Sequence, residues 1–154
     1  MITEEKMTID LSQVWFEDNI SMEDFLYLRD SVGFQDLTVE EAQRVLWNST
    51  KVFTAWYGGQ CVGMVRLLTD YCLDALMTDV IVHPNCQGQG IGYKMVGYVL
   101  NHLKENLASV RLACILYANP GKEPFYQSLG FETLPNSRYG AGMMVEYKRE
   151  IETE

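Results

Sequence analysis

The chain has few of the residues that most often bind metals. It contains two histidines and four cysteines in 154 residues. The cysteines form no C-x-x-C pair and stand beside no histidine cluster, so no metal site is expected. Cys61 and Cys114 lie in apolar, strand-like sequence, which is typical of reduced core thiols. Cys86 lies in a glycine-rich loop, a position that solvent can reach, but the sequence places no base beside it that would make it a nucleophile.

Positive charge and long apolar runs are also scarce. The chain has 12 Lys and Arg against 21 Asp and Glu, which gives a formal net charge of -9. Nucleic acid is therefore not expected as a partner, because phosphate binding needs clustered cations. An acidic surface favours cationic small molecules instead. No apolar run approaches the roughly 20 residues that span a bilayer, and the polar start "MITEEKMTID" is unlike a signal peptide. We therefore predict a soluble cytoplasmic protein without membrane contact.

The hydrophobic pattern predicts one mixed α/β domain that spans residues 1–154. An opening strand precedes two amphipathic helices, the second of which begins with the capping box Thr38 to Glu41. The pair Gly58-Gly59 separates two β-rich runs and predicts a hairpin. The predicted strands lie at 7–17, 51–57, 60–68, 73–84, 109–118 and 142–151, and the predicted helices at 21–34, 38–50, 92–107 and 122–131.

One β-loop-α-β unit predicts a pair of neighbouring parallel strands. These strands lie near residues 76–82 and 110–117, and their connection should be right-handed. The second of them reads as a continuous apolar run, which predicts burial on both faces.

The connection from the first of these strands to the helix is the run "QGQGIG", Gln87 to Gly92. Its glycines permit left-handed backbone angles and close approach of a ligand. The first turn of the following helix exposes unpaired N–H groups and the positive end of the helix dipole. Together these features predict an anion site, for which a pyrophosphate is a natural ligand. Because the donors are backbone amides, an acidic protein can bind phosphate in this way.

Two common phosphate-binding motifs do not fit this run. The P-loop needs Gly-Lys-Ser/Thr, which is missing at the required spacing. The dinucleotide fingerprint G-x-G-x-x-G needs a glycine where Tyr93 stands, and it belongs to a first βα turn rather than to a late one.

The run resembles the acetyl-CoA loop of the GNAT N-acetyltransferase superfamily, whose signature is Q/R-x-x-G-x-G/A. Gln87, Gly90 and Gly92 stand at the signature positions, and "DVIVHP" is similar to the strand that precedes the loop in that family. A second segment, "NPGKEPFYQSLGF" from Asn119 to Phe131, resembles the family's later N…FY-x-x-x-GF segment. The two segments occur in the order and spacing of the family, and the resemblance covers about residues 50–135.

The resemblance implies a fold and a reaction. The fold is a mostly antiparallel twisted sheet, with a central parallel pair splayed at a bulge around the acetyl-CoA site and helices on both faces. The reaction is transfer of the acetyl group of acetyl-CoA to a primary amine by direct attack, without a metal. The backbone amide of Val82 would donate to the thioester carbonyl, and the hydroxyl of Tyr126 would protonate the leaving thiolate. The residues expected at the cofactor are Val80, Ile81, Val82, Gln87, Gly88, Gln89, Gly90, Ile91, Gly92, Asn119 and Tyr126.

The chain lacks the residue that serves as general base in many members of the family. Many members carry a glutamate on the strand before the loop, where this chain has Leu76 and Thr78. Asp79 is the nearest carboxylate and the first candidate, and His83 is the second. A water chain, or an amine that arrives neutral, is the remaining route.

Aromatic residues in the variable segments are candidates for the acceptor site. Rings near an acidic surface favour an arylalkyl or aliphatic amine through cation–π contact, although ordinary core packing explains each ring equally well. The candidate substrate residues are Tyr27, Phe34, His83 and Tyr139. Two alternatives stay open: acetylation of a protein N-terminus or lysine, and a non-catalytic acyl-CoA-binding domain. A homodimer stays open as well.

Overall fold

The structure, a computed structural model, describes residues 4–150. It divides into two compact units, the first ending at Tyr117 and the second beginning at Ala118. The strands are β1 (Trp15–Glu17), β2 (Lys51–Tyr57), β3 (Gln60–Thr69), β4 (Asp74–Val82) and β5 (Ala113–Ile115), and the helices are α1 (Met22–Ser31), α2 (Val39–Asn48), α3 (Ile91–Glu105) and α4 (Glu123–Gln127). Short 3-10 turns cover Leu11–Gln13 and Pro84–Cys86. A single domain over the whole chain stays a prediction.

The first unit is built on a five-stranded sheet in the order β1-β2-β3-β4-β5. The first four strands are antiparallel, and β4 and β5 are parallel, which confirms the predicted parallel pair. The two strands are joined through α3, as a parallel connection requires.

Local signals set most of the element ends. Ser21 begins α1 by accepting the Asp24 amide proton on its hydroxyl. Thr38 and Glu41 form the predicted capping box at α2, in which each side chain accepts the other residue's N–H. The hairpin between β2 and β3 turns at Gly58-Gly59, whose φ angles of 59° and 77° suit the tight turn that such strands prefer.

Helices pack on both faces of the sheet, as the fold prediction required. Adjacent residues of β2 show this, because successive side chains point to opposite faces. Val52 belongs to a buried cluster with Phe25 of α1 and Ala42 of α2. Phe53 contacts Tyr98 of α3 with ring centroids 5.8 Å apart.

Three predicted strands are shortened or missing. The opening strand covers only Trp15–Glu17, because the chain turns at Leu11–Gln13 before it pairs with β2. The strand predicted at 109–118 pairs over Ala113–Ile115, and the predicted burial on both faces is wrong, since Ile115 is 47% exposed. Residues 142–150 form no strand and are exposed, and residue 151 lies outside the described residues. Alternating sequence supplies a buried face but no hydrogen-bond partner, and a strand needs both.

Residues 4–150 contain neither a membrane-spanning helix nor a cluster of metal-binding side chains. No helix there is both long and apolar enough to cross a bilayer. Within the same residues, no group of three or more His, Cys, Asp or Glu side chains is arranged to hold a metal ion.

Candidate active site

The carboxyl end of β4 extends beyond its parallel neighbour. Pairing of β4 with β5 ends where Leu76 faces Ile115. Residues 77–82 continue with β3 on one side, and among the described residues no strand pairs with them on the other. The two parallel strands thus part at the end of β4 that leads into the glycine-rich loop.

The main-chain groups of Val82 point into this opening. Val82 faces Gly63 of β3, and the flanking hydrogen bond runs from the N–H of His83 to the carbonyl of Val62 at 2.8 Å. This pattern marks Val82 and Gly63 as a non-hydrogen-bonded pair. The N–H and C=O of Val82 are therefore directed away from β3, toward the side that β5 leaves open.

A β-bulge precedes Val82. The register passes from Arg66 opposite Thr78 to Met64 opposite Ile81, so β4 has one residue more than β3 over this interval. Asp79 lies in the bulge with a φ of 47°, a left-handed conformation that aspartate adopts more readily than most residues. A bulge bends its strand and re-aims the residues after it.

Two arginines hold the carboxylate of Asp79. Arg29 of α1 donates to one oxygen at 2.7 Å, and Arg66 of β3 donates to the other at 2.8 Å. The side chain of Asp79 is only 8% exposed. The ion pairs therefore join a helix and two strands at the bulge, and both carboxylate oxygens already accept a charged donor.

The glycine-rich loop presents its backbone at the start of α3. Gly88 and Gly90 have φ angles of 75° and 93°. Gly90 is the N-cap residue of α3, and no side chain caps the helix there. Its carbonyl accepts the N–H of Lys94 at 3.2 Å, so the first helical turn begins directly after it. A Cβ added at Gly88 would meet no atom within 4 Å, which leaves open space at this face of the loop.

Two glutamine side chains fix the loop to the rest of the first unit. Gln87 donates from Nε2 to the carbonyl of Val82 at 2.8 Å, on the open side of β4. Gln89 donates to the carbonyl of Met7 at 2.6 Å and accepts the N–H of Ile9 at 2.8 Å. Both side chains therefore bind main-chain groups of the protein itself.

Two candidate acceptor-site residues, Tyr27 and His83, lie together. Their rings stack with centroids 5.6 Å apart, and Tyr27 Oη lies 3.2 Å from Nε2 of His83. The N–H of Asn85 donates to Nδ1 of His83 at 3.2 Å, which places the ring proton of a neutral imidazole on Nε2. Burial lowers the pKa of His83 and so favours that neutral form. Tyr27 then accepts from the histidine and keeps its own hydroxyl proton for another acceptor.

The other two aromatic candidates lie elsewhere. Phe34 is half-buried, with the guanidinium of Arg29 5.4 Å from its ring centroid. Tyr139 belongs to the second unit and is 46% exposed, with the guanidinium of Arg138 5.6 Å from its ring centroid.

The second unit carries Asn119 and Tyr126. Asn119 is exposed, and its carbonyl accepts the N–H of Lys122 at 2.9 Å in the turn before α4. Tyr126 lies on α4 against Phe125 and Phe131. Burial raises the pKa of Tyr126, so its hydroxyl stays protonated at neutral pH.

The cysteines are all reduced, and the expected exposure of Cys86 is wrong. Cys86 is completely buried, with its sulfur 3.9 Å from that of Met7, and burial raises its pKa. Burial also raises the pKa of Cys61 to about 12 and that of Cys114 to about 11. These groups are protonated thiols at neutral pH, not nucleophiles.

The sequence analysis missed the arginines beside Asp79 and the contacts of Gln89. Arg66 carried a signal, since a charge within an otherwise apolar strand indicates a buried ion pair. Gln89 carried none, because its partners lie about 80 residues earlier in the chain.

Comparison with known proteins gives the family. The model of the acetyltransferase (GNAT) family matches residues 14–131. An uncharacterized ycf52-like N-acetyltransferase of Prochlorococcus marinus is 31% identical over 135 residues, which cover 85% of this chain and 72% of that protein. Serotonin N-acetyltransferase 2, chloroplastic, of Oryza sativa subsp. japonica is 32% identical over 114 residues, or 71% of this chain and 55% of that protein.

A solved structure agrees with the sequence matches. The GNAT-family acetyltransferase from Streptococcus pneumoniae has a TM-score of 0.69 to this chain at 29% identity, covering 89% of this chain and 98% of that one. With a family match across most of its length and relatives of the same fold, this chain belongs to the GNAT family and is an acetyltransferase.

Proposed function

We propose that this acetyltransferase transfers the acetyl group of acetyl-CoA to the nitrogen of a small primary amine. The observation that carries the proposal is the direction of the Val82 N–H. It points into the opening between β4 and β5, next to a glycine-rich loop that leads into an uncapped helix. The Val82 N–H could donate to a carbonyl oxygen, and the backbone N–H groups of the loop could donate to a pyrophosphate. These two sets of donors lie close together in the chain.

The residues at the loop fit the pyrophosphate of coenzyme A. The start of α3 has no side-chain cap, and Gly88 has open space where a side chain would stand. Anions bind such helix starts through backbone amides and the helix dipole. Gly88, Gly90, Ile91 and Gly92 would supply these groups, with Val80, Ile81 and Asn119 along the remainder of the cofactor.

Acetyl-CoA would supply an activated acetyl group as a thioester. The Val82 N–H would donate to the carbonyl oxygen, on which negative charge develops during attack by the amine. Tyr126 would give its hydroxyl proton to the departing sulfur, and its raised pKa keeps that proton available at neutral pH.

The geometry around Asp79 supports a positioning role over the role of base. Each carboxylate oxygen accepts a charged hydrogen bond from an arginine, and the side chain is only 8% exposed, so the carboxylate holds α1 and β3 together at the bulge rather than facing an incoming amine. His83 is also engaged at both ring nitrogens, by the Asn85 N–H and by Tyr27. We therefore propose that water takes the amine proton, or that the amine arrives neutral.

The acceptor class follows from charge and from one relative. A chain with a net charge of -9 attracts cationic amines. The rice relative is named for acetylating serotonin, an arylalkyl amine. Tyr27 is 36% exposed beside His83 and offers a ring and a hydroxyl to such a substrate. The cytoplasmic location and a homodimer stay predictions.

The proposal is tested with acetyl-CoA and a panel of acceptors. Acetyl-CoA should raise the melting temperature of the protein, because it binds only the folded state. Release of free thiol is then measured with arylalkyl amines, aliphatic amines, amino acids and peptides. Turnover of small amines is expected; turnover of peptides alone would favour a protein acceptor, and thiol release with none of them would favour a non-catalytic acyl-CoA-binding domain.

A pair of variants at Val82 tests the observation directly. Val82→Pro removes the N–H, whereas Val82→Ala keeps it and changes only the side chain. Because this N–H points away from β3, its loss leaves the antiparallel ladder intact. We expect Val82→Pro to lower kcat about 100-fold and Val82→Ala to lower it much less. Equal activity of the two folded variants would remove the amide from the mechanism.

The pH dependence of kcat/KM tests the proposal that no side chain of the enzyme acts as general base. Two accepted amines whose own pKa values differ by at least about one unit are compared. Without an enzymatic base, each rate should rise with pH to a midpoint that follows the pKa of the amine. A midpoint shared by both amines would instead identify a base on the enzyme.

Tyr126→Phe tests the acid. Loss of a general acid lowers turnover, here by about tenfold or more, while the acetyl-CoA dissociation constant should change little. Both quantities are measured on the same preparation by thiol release and by calorimetry. Unchanged turnover would exclude Tyr126 as the proton donor.

A further inference from the structure

A segment near the N-terminus, residues 7–11, runs along the glycine-rich loop; we refer to it as the N-terminal strap. The N–H of Met7 donates to the carbonyl of Asn85 at 2.8 Å. The carbonyl of Met7 accepts from Gln89 Nε2 at 2.6 Å, and the N–H of Ile9 donates to Gln89 Oε1 at 2.8 Å. The side-chain amide of Gln89 thus offers one donor and one acceptor to alternate residues, as the N–H and C=O of one residue in a parallel neighbouring strand do.

The opposite edge of the strap contacts the hairpin. Tyr57, the last residue of β2, donates from Oη to the carbonyl of Thr8 at 3.5 Å and accepts the N–H of Asp10 at 3.3 Å. Residues 7 and 9 therefore face the loop while residues 8 and 10 face Tyr57. This alternation is that of a strand held between two partners.

The end of the strap packs on the N-cap residue of α3. Asp10 accepts the N–H of Ser12 at 3.0 Å and starts the 3-10 turn that brings Leu11 to Gly90. A Cβ at Gly90 would lie 2.8 Å from Cδ1 of Leu11. Gly90 thus needs to be glycine for two reasons, its φ of 93° and the leucine against it.

We propose that the N-terminal strap positions the glycine-rich loop for acetyl-CoA, and that Gln89 is the positioning residue that links them. A left-handed loop without a side-chain cap has few hydrogen bonds of its own, so the strap and the Gln87 bond to Val82 define its shape. The side chain of Gln89 faces the strap, and its effect on binding passes through the loop backbone. This inference rests on the proposed use of acetyl-CoA.

The first test compares Gln89→Ala with Gln13→Ala, the same change at an exposed glutamine at the end of the 3-10 turn. Calorimetry should show acetyl-CoA binding about tenfold more weakly to Gln89→Ala, because loss of two hydrogen bonds frees the loop. Gln13→Ala should bind as the wild type does. Hydrogen exchange without ligand should be faster at Ile9 and at residues 86–92 in Gln89→Ala only.

A double-mutant cycle separates positioning from direct contact. Ile9→Pro removes the N–H that donates to Gln89, and it is combined with Gln89→Ala. If Gln89 acts through the strap, the double variant should bind acetyl-CoA no worse than about twofold below the weaker single variant. Independent, multiplying losses would mean that Gln89 contacts the ligand itself, and the proposal would be overturned.

The outcomes also separate this inference from the proposed function. If wild-type protein binds acetyl-CoA and Gln89→Ala binds it equally tightly, the strap proposal alone fails. If wild-type protein does not bind acetyl-CoA, the proposed function fails and the strap loses its role with it. Faster exchange at Ile9 without faster exchange at residues 86–92 would also overturn the proposal, since the loop would then hold its shape without the strap.

Discussion

Two short connections within residues 4–150 each contain two left-handed glycines, and they differ in what surrounds the backbone. Gly58-Gly59 joins β2 to β3, and strand pairing begins directly at the turn, where Tyr57 faces Gln60, before the register shifts between Ala55 and Trp56. The glycine-rich loop joins β4 to α3, where the helix begins at Gly90 without a side-chain cap. In the hairpin the neighbouring N–H groups enter a ladder, whereas the first N–H groups of α3 have no partner within the helix and no side-chain cap.

The contrast shows that a positive φ explains a glycine without revealing its function. All four glycines at 58, 59, 88 and 90 have φ between 59° and 93°. The difference lies in the side chains nearby, since Gln87 and Gln89 fasten the loop to β4 and to the N-terminal strap. The hairpin contributes to the same arrangement from a distance, because Tyr57 holds the other edge of the strap.

Among changes to these two connections, the largest effect is expected when the same charge is placed in each. Gly88 and Gly59 have nearly equal φ angles, 75° and 77°, and neither has an atom within 4 Å of an added Cβ. Gly88→Asp should weaken acetyl-CoA binding by about tenfold or more, because its carboxylate would repel the pyrophosphate. Gly59→Asp should leave affinity within about twofold.

Calorimetry on the two aspartate variants checks this contrast. Similar affinity in both would mean that the glycine-rich loop is a structural turn like the hairpin. The uncharged variant Gly88→Asn is the control, since it keeps the backbone strain and removes the repulsion.

A smaller effect is expected from releasing the loop from β4. Gln87→Ala removes the bond from Nε2 to the carbonyl of Val82, which is worth about 1 kcal/mol. We expect kcat/KM to fall about fivefold, and Gln13→Ala serves as the matched control. A stability loss with unchanged kcat/KM would show that this bond only supports the fold.

The smallest effect is a loss of stability, which should be the same when either connection is changed. Gly88→Ala and Gly59→Ala each force a side chain into a left-handed conformation, at a cost of about 1 kcal/mol or slightly more. For a chain of this size the melting temperature should fall by about 2–4 °C in each variant, measured by calorimetry without ligand. A much larger loss at Gly88 would mean that the loop carries strain that the hairpin does not.

The elements that the sequence predicted well have their signals close together in the chain. The capping box at Thr38, the hairpin at Gly58-Gly59 and the helix after Gly90 each depend on neighbours within a few residues. Strand ends were predicted poorly at 7–17, 109–118 and 142–151, because a strand ends where its partner ends, and the partner lies elsewhere in the sequence.

In the candidate site, too, the features with local signals were predicted and those that depend on distant residues were not. The glycine-rich run and the segment around Tyr126 led to the family from residues alone, and the family match confirms that conclusion. The roles of individual residues stay proposals. The structure gives reasons to prefer some of these roles over others. Asp79 was singled out as the nearest carboxylate, but the arginines that hold it come from residues 50 and 13 positions away.

The sequence by itself determined that this chain has a glycine-rich loop between a strand and a helix, since glycine content and helix periodicity are local properties. Only the tertiary structure decided how the loop is held. The direction of the Val82 N–H depends on its register with Gly63, and the binding of Gln89 to Met7 and Ile9 depends on a contact across about 80 residues. Such contacts depend on the packing of the whole sheet, and no short stretch of sequence specifies them.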